Sequence, residues 1–383
     1  DPMMPINPAA MNSIYPCRTQ KEQKLFERLP EIFHGRDQAF IPPFPGSIVK
    51  YLSKTSAFNR LYGEIHPFLA WRDGRPVGRI AAIINRAHNE RYSDKTGFFG
   101  FFDCENDSGL AEALFSTVAE VLRSRGLESL RGPYNPSIND ECGLLVQGFE
   151  HPPCLGLVWN PQYYETLIDQ MGFKAVCKSF GFLLPLQRLD PPERLKRIVE
   201  RVAKRSSIKL RPIKMSQLEE ELKIVLEVYN ATLERNWGFV PITMDDLLAA
   251  ADDMKAFADP EMILIAEMNG ENAGVALSLP NFNEILSRTK WTPHLLRLPH
   301  IFWLMKTRRI NWARQVVYGI APRFRDRGLH AWLLYEQFVS AKERYANGTL
   351  GWIEESNTEI LENSLMLGAI QQQEWRIYEK SLF

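Results

Sequence analysis

The side chains with the clearest chemical potential crowd one short turn. Arg323, Arg325 and Arg327 alternate ahead of Gly328, directly after an apolar run, Val316 to Ile320, that ends at Ala321-Pro322. Leu329, Trp332, Leu333, Tyr335 and Phe338 then follow at helical spacing. A strand, a basic glycine turn and a helix start make an anion site. The first N–H groups and the positive end of the helix dipole face out of the turn, and glycine lets a ligand reach the backbone. The phosphate of a nucleotide or coenzyme is the usual guest; the alternative is an ordinary strand–helix corner with solvated arginines. A second polar cluster lies in GPYNPSINDECGLLVQG, Gly132 to Gly148, where Asn135, Asn139, Asp140 and Glu141 share a turn-rich loop. Such loops carry function more often than cores do, although a plain surface loop would look the same. A third cluster, Arg194, Lys196, Arg197, Arg201, Lys204 and Arg205, reads as the solvated face of a helix, with an anion-binding face as the alternative.

Composition narrows the chemistry. Lys+Arg and Asp+Glu both number 46 in 383 residues, so no net field attracts nucleic acid. Hydrophobic residues at 45% and charged residues at 24% describe a soluble globular protein long enough for about two domains. Cys17, Cys104, Cys142, Cys154 and Cys177 are scattered without a CxxC pair. Neither a metal site nor a disulfide framework is indicated, and buried thiols in a reducing cytoplasm are expected. No apolar run approaches the roughly 20 residues that span a bilayer. The start, DPMMPINPAAMNSIYP, lacks the basic and apolar blocks of a signal peptide. The expected location is cytoplasmic.

The elements that must position these groups follow from pattern. Leu25, Phe26, Leu29 and Phe33 mark a helix within 17–36, and Phe40 to Gly46 is stiffened by prolines. Asp73-Gly74 joins two β-rich runs as a hairpin, and Asn269-Gly270 does so again. After the first hairpin come a strand at Gly97 to Phe102, a helix capped at Asp107-Ser108, and a strand from Leu130. After the second come the strand Val316 to Ile320, the helix from Leu329, and a strand at Leu350 to Ile353. The order predicts two copies of one mixed α/β unit, 1–190 and 191–383, each a mostly antiparallel sheet flanked by helices. An insertion at about 281–313 holds HLLRLPHIFWLM followed by Lys306, Arg308 and Arg309. Its first reading is core; the others are the lining of an apolar tunnel, or contact with the inner membrane surface.

The unit resembles the GCN5-related N-acetyltransferase (GNAT) fold, in tandem. In that family a strand leads to a (Gln/Arg)-x-x-Gly-x-(Gly/Ala) loop whose amides wrap the coenzyme A pyrophosphate, matched by Arg325-Asp326-Arg327-Gly328-Leu329-His330. Here His330 replaces the final small residue. The resemblance places acyl-CoA, whether acetyl or longer, as co-substrate against Ile320, Arg325, Arg327, Gly328, Leu329 and His330, with Asn357 and Asn363 beyond. Where the family often has an acidic tyrosine, this chain has Ser364. The corresponding loop of the first half, Asn106 to Leu110, is acidic and is expected to repel a pyrophosphate. Over most of the chain, IPPFPG, FLAWRDGRPVGRIAAIIN, TGFFGFF and NPQYY are similar to a bacterial group of double-domain acyltransferase-like proteins that includes ceramide synthases. That group implies transfer of an acyl group to an amine, small or lipid-like.

Acyl transfer to an amine needs a base, donors for the oxyanion and a leaving thiolate. The expected base is Glu141, with Asn139 positioning it and Tyr164 as acid; Asn135, Asn160 and Tyr163 are expected to hold the acceptor. Glu354 and Glu355 are the alternative base. Two other readings stay open: a ligand-binding protein whose GNAT units no longer catalyse, and a transfer-RNA-dependent aminoacyl transferase using a basic patch at 194–211. The oligomeric state is left open.

Overall fold

A computed structural model describes residues 12–204, 207–325 and 327–383; Arg205 of the basic run, Asp326 of the turn and the first residues of the chain lie outside these. In chain order the strands are β1 (Ser13–Pro16), β2 (Gly63–Arg72), β3 (Arg75–Asn85), β4 (Thr96–Cys104), β5 (Ser129–Gly132), β6 (Tyr134–Asn135), β7 (Glu141–Cys142), β8 (Leu144–Gln147), β9 (Lys174–Leu184), β10 (Ile208–Pro212), β11 (Ile263–Met268), β12 (Glu271–Pro280), β13 (Trp312–Ile320), β14 (Asn347–Glu354) and β15 (Ile370–Ser381).

Two compact units result. One extends to Leu145 and includes Val158–Val176 and Ile377–Phe383; the other is Val146–Leu157 with Cys177–Arg376. Both hairpin turns behave as their residues dictate. Asp73 and Gly74 take φ of 52° and 73°, and Asn269 and Gly270 take 54° and 79°. Two consecutive positive φ values match the twist of the flanking strands. In the first unit β1, β2, β3 and β4 pair antiparallel in that order, β4 pairs β5 parallel, and the end of β15 pairs β5 antiparallel. In the second unit β10, β11, β12 and β13 pair antiparallel, β13 pairs β14 parallel, and β14 pairs β9 antiparallel. Within each unit the strands therefore pair in the same order and sense.

Helices cover the sheets with their apolar faces. In the first unit Gln20–His34 opens with a capping box between Thr19 and Glu22. The helix Ser108–Ser124 buries Leu110, Leu114, Phe115, Val118 and Leu122, which recur at helical spacing. In the second unit Leu329–Arg344 buries Leu329, Leu333, Leu334, Phe338 and Ala341. The helix Glu193–Ala203 packs there too, with Ile198 and Val202 against the cluster that holds Leu329 and Leu333. The core reading of the insertion is corrected. Its helix, His294–Thr307, buries Arg297, Ile301 and Leu304 but leaves Leu295, Leu296, Phe302 and Trp303 in solvent. A helix that is apolar all round cannot bury every side against one neighbour.

Close backbone approach fixes one glycine. A Cβ on Gly100 of β4 would lie 1.5 Å from the Tyr134 carbonyl oxygen, whereas Gly109, in the following helix, is open apart from Asp107 Oδ1 at 3.4 Å. Gly100→Ala should lower unfolding free energy by about 2 kcal/mol or more through overpacking, and Gly109→Ala should be neutral or stabilising by up to ~1 kcal/mol. Urea denaturation of both variants checks this; equal effects would contradict it.

Candidate active site

Among the described residues each unit has a short parallel strand pair. β4 and β5 are paired from Thr96↔Ser129 to Phe98↔Arg131. β13 and β14 are paired from Trp312↔Asn347 to Gln315↔Leu350. Beyond those points the pairing stops while the central strand of each unit runs on, which leaves a gap in the ladder. Each also carries a bulge there: β4 between its partners of Arg79 and Ala81, and β13 at Val316, between the partners of Leu277 and Ser278. A bulge leaves a residue out of the ladder, with its peptide groups in need of another partner.

The first unit closes its gap with its own chain. Tyr134, on β6, lies over Gly100, and the Asn135 side-chain oxygen accepts from the Phe101 N–H at 2.6 Å. Phe101 itself has φ +51°. Beyond the bulge, Asp103 is locked into a buried network. Its Oδ2 accepts from Arg79 Nε at 2.8 Å and pairs with Arg79 Nη2 at 2.7 Å. Its Oδ1 accepts from the Tyr164 hydroxyl at 3.0 Å. That hydroxyl also accepts from the Cys104 N–H at 3.2 Å and meets His34 Nε2 at 3.0 Å. Burial works to raise the Asp103 carboxyl, but the Arg79 guanidinium and the bond to His34 outweigh it and hold it below the usual carboxylate range. Burial, with Asp103 alongside, pushes the Tyr164 hydroxyl well above a free phenol. Tyr163 donates to the Cys104 carbonyl at 2.7 Å. The helix that follows β4 supplies its own anion: Asp107 caps it, accepting from Leu110 N–H at 3.0 Å and pairing with Arg72 at 2.5 Å. A pyrophosphate would meet a carboxylate already in its place.

The second unit differs at each of these points. Val316 is 40% exposed. The helix after β13 starts at Gly328, which has φ +79° and offers no side-chain cap. A Cβ on Gly328 would lie 2.3 Å from Val202 Cγ2, so the helix Glu193–Ala203 runs against this turn. That helix also carries Arg194, Arg197 and Arg201. Arg325 donates to the Ile320 carbonyl at 3.3 Å, and the Arg327 guanidinium lies 6.0 Å from the Phe324 ring centre. His330 packs edge-on against Tyr318, ring centres 4.8 Å apart, and the Tyr318 hydroxyl donates to the His330 carbonyl at 2.6 Å. The imidazole thus turns against β13, and the bulk of His330 does not stand between the turn and a ligand. On β14, Trp352 Nε1 is buried without a hydrogen-bond partner among the described residues, and so is Thr232 Oγ1, which lies against Gly319 of β13. Orphaned polar atoms beside both strands, with a glycine helix start and arginines, fit a polar, phosphate-bearing guest.

The structure brings some sequence-predicted residues together and separates others. Arg325, Gly328, Leu329, His330 and Ile320 share one turn. Asn357 begins the helix Thr358–Met366, and Asn363 lies within it. Ser364 donates to the Ile360 carbonyl at 2.8 Å, so its hydroxyl serves the helix. Asn135 and Glu141 are opposite partners on the β6–β7 ribbon. Asn139 donates its N–H to Ser137 Oγ at 3.2 Å. Asn160 is buried, its side-chain amide bonded to both the N–H and the carbonyl of Leu145 at 2.7 and 3.1 Å. Missed by the sequence reading were Arg79, Asp103 and His34, whose union requires three elements far apart in sequence. Arg194, Arg197 and Arg201 read first as a solvated face, with an anion-binding face as the alternative; the apolar spacing of Leu195, Ile198 and Val202 is the signal that this helix docks.

No family model matches the chain. It is 30% identical to the bacterial ceramide synthase of Caulobacter vibrioides (strain NA1000 / CB15N), over 97% of each sequence. The chain belongs to the bacterial ceramide synthase family. Protein YghO of Escherichia coli (strain K12) is a further relative, 28% identical over 95% of this chain and 94% of its own. Among solved structures, a tandem GNAT protein from the clavulanic acid biosynthesis pathway superposes with a TM-score of 0.56 at 11% identity, covering 97% of this chain and 99% of that one. The fold is that of two GNAT-like units in tandem, and family and fold together make this family member an N-acyltransferase.

Burial holds the His330 imidazole below its ordinary value against the opposing pull of Glu359. Burial does the same to His88, against Asp94. The unfolded chain therefore takes up protons first as pH falls. The stability tied to these neutral rings is present above about pH 6.5 and is lost as acid is added. Melting temperature should fall between about pH 7.5 and about pH 5.5, with a shallower slope in His330→Asn. A wild-type slope retained in full by that variant would contradict the assignment.

Proposed function

We propose that this family member transfers a fatty acyl group from acyl-CoA to the amine of a long-chain, sphingoid-type acceptor, with the coenzyme held by the second unit. The observation that carries the reading is the contrast between two gaps of the same topology. One is filled by Tyr134 and Asn135 and faces an Asp107-capped helix; the other lies beside an exposed bulge and a glycine-led helix start. The amides of Gly328, Leu329 and His330 would take the pyrophosphate, with Arg325 and Arg327 beside them and Arg194, Arg197 and Arg201 in reach of a further phosphate. The bulge at Val316 would hold the thioester region along β13, where a backbone donor can meet the developing oxyanion.

The base that takes the amine proton is a carboxylate. Glu354 is our assignment, because it ends β14, the strand that borders the open gap of the same unit. Glu141, opposite Asn135 on its ribbon and with Asn139 as its positioning group, stands as the second choice. Tyr164 is a poor acid where it sits, since releasing its proton would leave two anions side by side in a buried network. The amine's own proton then suffices for the leaving thiolate. The lipid-like acceptor comes from the ceramide synthase name of the relative.

Mass spectrometry of products from a panel of acyl-CoAs and amines, sphingoid bases included, tests this reading. An N-acyl sphingoid product is expected. Arg325→Glu combined with Arg327→Glu should raise the KM for acyl-CoA by about tenfold or more, the worth of two lost charge-assisted contacts. Glu354→Gln should cut kcat by ~10²-fold or more. Coenzyme binding without any acylated amine would instead mark a ligand-binding protein. Full turnover in Glu354→Gln with loss in Glu141→Gln would move the base to Glu141.

A further inference from the structure

The helix His294–Thr307 is built the wrong way round for a water-facing surface. At 100° per residue, Leu295, Leu296, Pro299, Phe302 and Trp303 share an arc of about 120°. The buried residues Arg297, Ile301 and Leu304 lie opposite. The arc that faces out is the apolar one: Leu295 is 90% exposed, Leu296 58%, Phe302 56% and Trp303 55%, and Trp291, just ahead of the helix, is 74% exposed. A contiguous patch of large apolar groups marks an interaction surface. Its charge setting selects the occupant. Lys306 falls on the same arc, Lys290 lies 5.6 Å from the Trp291 ring centre, and Arg308 and Arg309 follow the helix. From Ile285 to Arg325 the sequence contains no Asp or Glu.

We infer that this face docks the protein onto an anionic phospholipid bilayer, the helix lying in the interface with Leu295, Phe302 and Trp303 among the acyl chains. Lys290, Lys306, Arg308 and Arg309 sit at the headgroup level, where each cation adds attraction to a negative surface. Tryptophan and leucine beside lysine suit that boundary because one end of the contact is apolar and the other charged. A second copy of the chain is a poorer occupant: two-fold pairing would press this basic rim against itself. The helix has 14 residues, too few to cross a bilayer, so it lies on the membrane. The inference does not depend on the acyl-transfer reading; if both hold, the enzyme works at the surface where a lipid-like amine resides.

Co-sedimentation of the full chain with phosphatidylcholine vesicles, with and without phosphatidylglycerol, tests it. The protein should pellet with the anionic vesicles and release as salt rises. Leu295→Glu with Phe302→Glu should weaken vesicle binding at least about tenfold, and Lys306→Glu with Arg308→Glu should remove the preference for phosphatidylglycerol. Unchanged circular dichroism would show that these exposed substitutions leave the fold intact. Failure of the wild type to bind anionic vesicles, or equal binding by the first variant, would overturn the inference. So would a wild-type dimer in sedimentation velocity that the first variant abolishes.

Discussion

A parallel strand pair that separates before it ends must do something with the peptide groups it uncovers. Buried N–H and C=O groups are expensive to leave without partners. This constraint arises twice in the chain, at β4–β5 and at β13–β14, because both units share one topology. It is met in two ways. In the first unit the chain returns to fill its own gap, and Asn135 satisfies the amide of a bulge residue. In the second unit the bulge at Val316 stays partly in water. Duplicated architecture thus leaves one bulge buried, at Phe101 and Phe102, and the other partly exposed, at Val316.

The same contrast recurs one turn further along the chain. Both units place a helix start after the central strand. The first puts a carboxylate there, and Asp107 uses the helix dipole and Arg72 for its own stabilisation. The second puts Gly328 there, with φ +79°, packed against Val202 of the helix Glu193–Ala203. The dipole that Asp107 already satisfies in the first is left to backbone amides in the second. The first unit spends its buried polar groups on structure: Asp103, Arg79, Tyr164 and His34 satisfy one another.

Much of this was legible in the sequence because it is local. Asp73-Gly74 and Asn269-Gly270 specify their hairpins through two residues each, and Asp107 announces its helix through one side chain. Gly328 and its arginines are contiguous, so the open turn could be read directly. Non-local facts were hidden. Nothing in Tyr134-Asn135 says that it will lie over Gly100, and Arg79 with Asp103 looks like two strand charges until the register pairs them. The surroundings of Tyr164 were hidden for the same reason: its hydroxyl is tied down by groups from two other elements, β4 and the helix Gln20–His34. The insertion misled through composition, since apolar density cannot say which way a helix faces.

The central claim is that one gap of two accepts the coenzyme. Hydrogen–deuterium exchange with and without coenzyme A tests it most directly. Slowed exchange confined to Val316 to Leu329 and to the end of β14, with Phe98 to Leu110 unchanged, is the predicted result. Protection at Phe98 to Leu110, or at both gaps alike, would contradict it.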